Sequence, residues 1–112
     1  MPAAYSNLVL EQGTTFSTTI TIDDVYGDVF DLSGFSARAE MRKSYYSANA
    51  TAVFTTHINE TNGIITLELT PQATANIAPG RYVYDAIIVD SIRNITTRVL
   101  EGIIEVTPRV TR

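Results

Sequence analysis

Two long runs of β-forming residues near the end of the chain restrict its fold more than any other feature. The first spans residues 81–89 and the second residues 95–106, with a short polar stretch between them. Both runs are rich in Val, Ile, Tyr or Thr, which favour β-strands, and a short polar connection joins strands that run antiparallel. We therefore predict a long antiparallel hairpin here, at the centre of the fold.

Shorter runs, in which apolar and polar residues alternate with a period of two, occupy the rest of the chain. Strands are predicted at residues 7–11, 14–22, 35–43, 53–58 and 64–69. The side chains assigned to the core in the second and third of these strands are Phe16, Thr18, Ile20, Ile22, Phe35, Ala37, Ala39 and Met41. The dipeptide Asn62-Gly63 is a strong turn signal, so the last two of these strands are predicted to form a hairpin.

One helical turn interrupts the β pattern. It is predicted at residues 70–76, where the Thr70 hydroxyl can cap the first turn and Pro71 stands at the first helical position. About seven strands with a helical corner before the sixth favour an all-β fold, an antiparallel immunoglobulin-like β-sandwich, over a closed barrel. The chain has no Cys and no Trp, so this interpretation concerns architecture and not common ancestry.

The length and composition suit one self-sufficient domain. A chain of 112 residues can bury enough surface for a core without metal or disulfide, so residues 1–112 are predicted to form a single domain. The lack of Cys excludes disulfides, thiolate zinc sites and cysteine nucleophiles. No signal-peptide pattern is present, and no apolar run approaches the roughly 20 residues of a membrane span. We expect a soluble protein with no membrane partner.

The acidic balance argues against nucleic acid as a partner. The formal net charge is -4, whereas phosphate binding normally requires a basic face. Four acids fall in residues 23–31, but their spacing does not follow a regular calcium-binding pattern, and a solvated turn is favoured. The single imidazole, His57, has no sequence neighbour that would complete a catalytic triad or a metal site. No catalytic, metal or cofactor site is predicted, and the chain is not expected to be an enzyme.

Asp85 lies within the first long run, where it alternates with apolar residues. If that face is the core, the carboxylate is buried and needs a cationic partner, for which Arg38 or Arg42 on a neighbouring strand is suitable. If the register turns Asp85 outward, the carboxylate joins a docking patch near Tyr82 and Tyr84, because interfaces favour Tyr and Arg. Both alternatives remain open from the sequence.

Two other residues of the long hairpin have predicted packing roles. Tyr82 stands near the start of its strand, where its hydroxyl can cap the backbone of the preceding helical corner, although an ordinary half-buried tyrosine is the simpler interpretation. Gly102 interrupts a strongly β-forming run, which indicates a bulge or the close approach of another backbone.

Two exposed segments are predicted to make contacts with other proteins. Residues 42–46 open a long loop with basic and aromatic side chains, which carry much of the energy of interfaces, although this loop can equally cover the end of the sandwich. Residues 107–112 lie beyond the last strand and can either extend as an arm onto a neighbour's sheet or fray. The candidate interface residues are Arg42, Lys43, Tyr45, Tyr46, Tyr82, Tyr84, Arg109 and Arg112.

Five ordered motifs run through nearly the whole chain: a Gln-Gly pair, an Asp-Leu turn, an alternating Ala/Arg strand, a Gly-x-Tyr-x-Tyr-Asp strand and a Glu-Gly strand. They stand at residues 12–13, 31–34, 35–43, 80–85 and 101–102. In this order they resemble small virion structural proteins of tailed phages, especially phages that infect cyanobacteria. The chain is also similar to the N-terminal domain of phage baseplate upper proteins, a β-sandwich that attaches receptor-binding parts to the tail.

The resemblance implies a non-enzymatic assembly or adaptor module of the tail, baseplate or neck, made in the host cytoplasm and located in the virion. Its expected partners are other virion proteins, and it is expected to form homo-oligomers in the particle. The chain stops at Arg112, without the coiled coil or receptor-binding domain of baseplate upper proteins, which argues against direct host binding. The alternatives are a capsid decoration protein and, from a different class, a carbohydrate or host-surface binding module.

Overall fold

The computed structural model describes residues 4–23, 27 and 30–111, and these residues contain nine strands and one short helix. The first five strands are β1 (Ala4–Tyr5), β2 (Leu8–Glu11), β3 (Phe16–Thr21), β4 (Phe35–Arg42) and β5 (Ala52–Val53). The remaining elements are β6 (Thr55–Asn59), β7 (Ile64–Leu69), α1 (Pro71–Ala75), β8 (Gly80–Asp90) and β9 (Ile95–Thr107).

The strands form two sheets packed face to face. The large sheet has the order β1-β9-β8-β4-β5, with β2 also paired to β9, and the small sheet has the order β3-β7-β6. The grouping of β4, β8 and β9 against β3, β7 and β6 follows the order of strands in immunoglobulin-type sandwiches. The all-β sandwich predicted from the sequence is therefore confirmed, and the long hairpin β8–β9 lies at the centre of the large sheet.

The first strands pair differently from the antiparallel arrangement predicted. Both β1 and β2 run parallel to β9, with Ala4 opposite Leu100 and Leu8 opposite Ile104. A parallel pair needs a long crossover connection, and here most of the domain lies between the two partners in sequence. Pairing across such a distance leaves no local signal in the sequence, so alternation alone could not reveal it.

Local sequence patterns account for the strands and helix that were predicted best. The bounds of β7 are those predicted, and α1 begins at Pro71 with Thr70 as its cap, whose hydroxyl accepts a hydrogen bond of 3.1 Å from the Ala73 amide. In β3 and β4 the alternating burial follows the predicted inward faces. These features depend only on side-chain periodicity and cap chemistry, which act over a few residues.

The run predicted as one strand at residues 53–58 is divided between the two sheets. β5 pairs with β4 of the large sheet, and β6 pairs with β7 of the small sheet. Phe54 lies between them, 4% exposed, with its amide bonded to the Ala39 carbonyl and its ring 5.8 Å from that of Phe16. The chain thus crosses from one sheet to the other at a buried aromatic residue, which accounts in part for the larger number of strands.

The inward face of β8 consists of alternating buried residues that begin with the two tyrosines. Tyr82, Tyr84, Ala86 and Ile88 are at most 6% exposed and pack against the core. Asp85 consequently lies on the outer face, so the first of the two alternatives for its position is wrong. Opposite this strand, β9 carries a bulge at which both Val99 and Leu100 are buried.

Candidate interaction surfaces

The aromatic loop after β4, which we define as residues 42–47, is held in place at its base. Arg42 forms an ion pair of 2.8 Å with Glu40 and donates a hydrogen bond of 3.1 Å to the Ser47 carbonyl. A turn between Ser44 and Ser47 closes the loop. With its base fixed in this way, the loop presents Tyr45 and Tyr46 to solvent, with exposed fractions of 69% and 97%.

Lys43 turns away from this exposed surface. Its ammonium lies 4.8 Å from the centre of the Tyr82 ring and 3.4 Å from the Arg81 carbonyl, so it packs over the start of β8. Of the four residues predicted in this segment, the structure therefore presents two tyrosines outward, uses Arg42 to support them, and assigns Lys43 to the neighbouring strand.

A shallow depression of about 200 Å³ lies on the outer face of the large sheet beside the aromatic loop. Its lining includes Glu40, Asp85 and Arg98 from three adjacent strands, together with the Tyr45 ring. Arg98 approaches Asp85 to 3.3 Å and Glu101 to 3.6 Å. The partner of Asp85 is thus a residue of β9, and the prediction of Arg38 or Arg42 is wrong.

Three acids lie side by side across the large sheet, which explains why so many arginines are found there. Glu40 is directly opposite Asp85, and Asp85 is directly opposite Glu101. Like charges in opposed positions destabilise a sheet. Arg98 pairs with Asp85 in the middle of this acidic row and with Glu101 at one end, while Arg38 and Arg42 both pair with Glu40 at the other end. The outer face of the large sheet is therefore charged but locally balanced.

Tyr82 and Tyr84, predicted as part of an exposed docking patch, are instead structural. The Tyr82 hydroxyl donates a hydrogen bond of 2.7 Å to the Ala78 carbonyl, four residues upstream at the end of the helical corner. This is the corner-tyrosine arrangement that the sequence suggested as the less simple interpretation. The Tyr84 hydroxyl donates to the Ser6 carbonyl at 2.5 Å. The two hydrogen bonds satisfy the hydroxyls, and both rings are buried and so not available to a docking partner.

At Gly102, β9 lies directly against Ser6, in the short segment that joins β1 to β2. A Cβ atom at this position would overlap the Ser6 carbonyl, so only glycine permits the approach, as the sequence indicated. In a regular parallel ladder the Ser6 carbonyl would accept from the Ile103 amide. Here the Ile103 amide bonds to the Asn7 side chain at 3.2 Å, and the Ser6 carbonyl turns inward to Tyr84. Burial also raises the pKa of Tyr84 to about 12.

Arg109, predicted to lie in a C-terminal segment that either extends onto a neighbour or frays, contacts the loop after β2. Its amide donates a hydrogen bond of 3.4 Å to the Gln12 side chain, and its own side chain lies where a Cβ on Gly13 would be. Gly13 has a φ of 81°, which also favours glycine. Val110 beyond it is 96% exposed. Arg112, the other candidate at this end, lies outside the described residues.

The Asp-rich segment and His57 do not form a reactive cluster within the described residues. Asp24 and Asp28 lie outside those residues. Asp31 accepts hydrogen bonds from the hydroxyl and amide of Ser33, and these bonds lower the pKa of its carboxyl. His57 lies on the outer face of the small sheet, 3.0 Å from Glu68.

Within residues 4–23, 27 and 30–111, no three His, Asp or Glu side chains are grouped so that they could hold a metal ion. Within the same residues no helix is long and apolar enough to cross a membrane.

Comparisons with known proteins identify a fold but no family. No family model matches the chain, and no curated protein matches it. Among solved structures, the chain is similar to InlP of Listeria monocytogenes, with a TM-score of 0.53 and 16% sequence identity. The similarity covers 94% of this chain but only 28% of InlP. At this identity the match bears on the fold alone.

Proposed function

We propose that this chain is a non-enzymatic assembly or adaptor module of a phage particle, in the tail, baseplate or neck, and that it acts through contacts with other virion proteins. The observation that carries the proposal is the aromatic loop, in which a buttressed base presents Tyr45 and Tyr46 to solvent. Exposed aromatic side chains on a fixed base bind a protein partner at little cost in conformational entropy. The setting in a phage particle rests on the order of the five sequence motifs.

The positions of those motifs support the use of their order as a family signature. Gln12-Gly13 joins the loop after β2 to the end of the chain, Asp31 closes a turn, and Gly102 admits the first strand. Three of the five motifs therefore specify a turn or a close contact of this sandwich. A set of such determinants in one order is typical of a particular domain, whereas a single one is not.

The first test is the copy number of the chain in purified phage particles that encode it, measured by quantitative mass spectrometry against the major capsid and tail-tube proteins. A few to a few dozen copies are expected for a neck, baseplate or adaptor component. Copies in the hundreds would favour the alternative of a capsid decoration protein. If the chain is undetectable in the particles, the virion hypothesis is wrong.

The second test addresses the aromatic loop directly. Replacement of Tyr46 by Ser should lower incorporation into particles several-fold while leaving the fold intact, because the side chain is 97% exposed. Ile92→Ser is the matched control, since Ile92 is 86% exposed at the tip of the β8–β9 hairpin. Equal incorporation of the two variants would show that the loop does not make the contact.

A carbohydrate or host-surface binding role is a second candidate because Tyr45 borders the depression that also contains Asp85 and Arg98. A tyrosine ring beside carboxylate and guanidinium groups offers stacking and hydrogen bonds to a sugar ring. A glycan array tests this role. Binding to one glycan class that is lost in Tyr45→Ala would favour it, and an array without signals would exclude the glycans it contains.

A further inference from the structure

One edge of the small sheet is β3, which carries none of the usual edge protection within the part of the chain that the structure describes. On one side β3 pairs with β7 over all six of its residues, and no described residue forms a ladder on its other side. The strand, Phe16–Thr21, contains no charged residue, no Pro and no bulge. Natural sheets protect their edges with such features, and an unprotected edge is a template for another strand.

The direction of the backbone groups in β3 follows from two hydrogen bonds at its ends. The Ile22 amide donates to the Gly63 carbonyl at 2.8 Å, and the Thr14 carbonyl accepts from the Thr74 hydroxyl at 2.8 Å. Even-numbered residues therefore direct their amides and carbonyls towards β7 and α1. Because these groups alternate along a strand, the odd-numbered residues Ser17, Thr19 and Thr21 direct theirs to the open edge.

The edge thus offers three amide donors and three carbonyl acceptors on residues whose side chains are all exposed. We propose that a second copy of this chain binds here, with the two β3 strands antiparallel across a two-fold axis that passes through Thr19. Thr19 then faces Thr19 of the second copy, and Ser17 faces Thr21 of the second copy. Each of these pairs exchanges two hydrogen bonds, which gives about six in total.

The side chains along this seam favour a second copy as the occupant. In this register the core faces of the two small sheets lie on the same side, because opposed residues share a face. The outer face of the seam brings together only Ser and Thr, which form favourable cross-strand pairs. No like charges meet, although the chain has a net charge of -4. An identical strand therefore supplies a matching order of donors and acceptors without repulsion.

The two edges of the large sheet are poorer sites for such pairing. β5 has only two residues, and the ladder between the first strand and β9 is interrupted where the Ser6 carbonyl turns inward. Self-association through β3 would give the assembly role proposed above one specific partner, a second copy of the chain. Its biological purpose rests on that proposed function, but the association itself does not. It is tested with the purified chain, so its failure is distinct from absence of the chain from phage particles.

Cysteine substitution tests both the partner and the register. The natural chain has no Cys, so Thr19→Cys carries a single thiol. Across the axis the two Cα atoms of residue 19 would be about 5.5 Å apart, within the range of a disulfide. Ser17→Cys is the control, because its two copies would be about 14 Å apart along the strands. Mild oxidation should convert most of the first variant, but not the second, to covalent dimers. Equal cross-linking, or none, would overturn the proposal.

Sedimentation equilibrium of the natural chain, from about 10 µM to 1 mM, tests the association without a cross-link. A concentration-dependent dimer is expected, and a monomer throughout would overturn the proposal. Thr19→Pro removes an amide donor that faces the open edge and leaves the β7 ladder intact. It should weaken association roughly 30-fold by loss of two hydrogen bonds, whereas Thr19→Val should not. If the two variants associate equally, the seam lies elsewhere.

Discussion

The large sheet ends on one side in a strand of two residues and on the other in a parallel pair that is interrupted at Ser6, whereas the small sheet ends in the regular, fully extended strand β3. These edges belong to the same sandwich and share one core. Interruption and short length make the large sheet a poor template for further strands. The difference indicates that both edges of the large sheet are protected, whereas the β3 edge of the small sheet is not.

The outer faces of the two sheets also differ, because the large sheet carries more charged side chains than the small sheet. The large sheet carries an acidic row that is balanced by arginines from β4 and β9. The small sheet exposes mainly hydroxyl side chains, with the pair of His57 and Glu68 near its centre. Charged side chains hold water and repel misplaced partners, while Ser and Thr accommodate a neighbouring strand. The comparison therefore predicts that changes to the large sheet act on stability and changes to the β3 edge act on association.

The largest effect on stability is expected from Gly102→Ala. The added Cβ overlaps the Ser6 carbonyl, so the first strand must move away from β9. We expect a loss of about 3 kcal/mol in the free energy of unfolding, measured by urea denaturation. We also expect faster hydrogen exchange at the Ser6 amide, which bonds to the Glu101 carbonyl. Such a variant would open the edge of the large sheet, so that this edge would be less protected from pairing and would resemble the β3 edge more closely.

Gly27→Ala is the control for Gly102→Ala. Gly27 has a φ of 82° but no atom within 4 Å of the position of a Cβ. Its replacement should cost about 1 kcal/mol through backbone strain alone and leave the exchange of the Ser6 amide unchanged. Similar losses and similar exchange in the two variants would mean that the close approach at Gly102 is not what holds the first strand.

Tyr84→Phe should have the next largest effect. The substitution removes the hydroxyl that satisfies the Ser6 carbonyl, and an unpaired buried carbonyl costs about 2 kcal/mol. Tyr82→Phe is the matched control, since Tyr82 is equally buried but bonds to the Ala78 carbonyl. Both variants should unfold at lower urea concentrations. Only Tyr84→Phe should accelerate hydrogen exchange in β1 and β2, and equal acceleration by both would contradict a specific link to that edge.

Alkaline pH should loosen the same contact. Burial raises the pKa of Tyr84 from 10.0 to about 12 in the folded chain, so between these values the unfolded chain loses the proton while the folded chain keeps it. The stabilisation by Tyr84 is thus complete below pH 10 and declines as the pH rises towards 12. Urea midpoints measured from pH 9 to 12 should fall less steeply in Tyr84→Phe. An unchanged slope would mean that other groups control alkaline stability.

The contrast between local and distant interactions also explains which parts of this molecule could be predicted from the sequence. The cap at Thr70, the bounds of β7 and the inward face of β4 follow from chemistry within a few residues. By comparison, β8 has apolar side chains on both faces, so alternation could not decide whether Asp85 or Tyr84 points to the core. In the folded chain the inward Tyr84 donates its hydroxyl proton to the Ser6 carbonyl, a partner that is distant in sequence.

The candidate surfaces also divide into features that local sequence predicts and features that depend on contacts between distant residues. Tyr45 and Tyr46 are exposed, which agrees with a polar loop after a strand, whereas their contact with a partner stays a prediction. The acidic row and its partner Arg98 were not predicted, because they require the register of three strands. The uncharged run in β3 was visible in the sequence, but its importance depends on its position at an edge, which only the sheet order reveals.

The smallest effect on stability is expected from Arg98→Gln on the outer face of the large sheet. The arginine is half exposed and bridges Asp85 and Glu101, so its removal leaves two opposed carboxylates without their shared counter-charge. We expect a loss of about 0.5 kcal/mol at low salt, because exposed ion pairs contribute little. The loss should shrink in 0.5 M NaCl, since repulsion between the carboxylates is then screened. Arg93→Gln is the control, because the Arg93 side chain is more exposed than that of Arg98 and lies 4.0 Å from its partner, Asp90. If removal of Arg98 weakened self-association and left stability unchanged, the charged face and not the β3 edge would be the surface that meets a second copy.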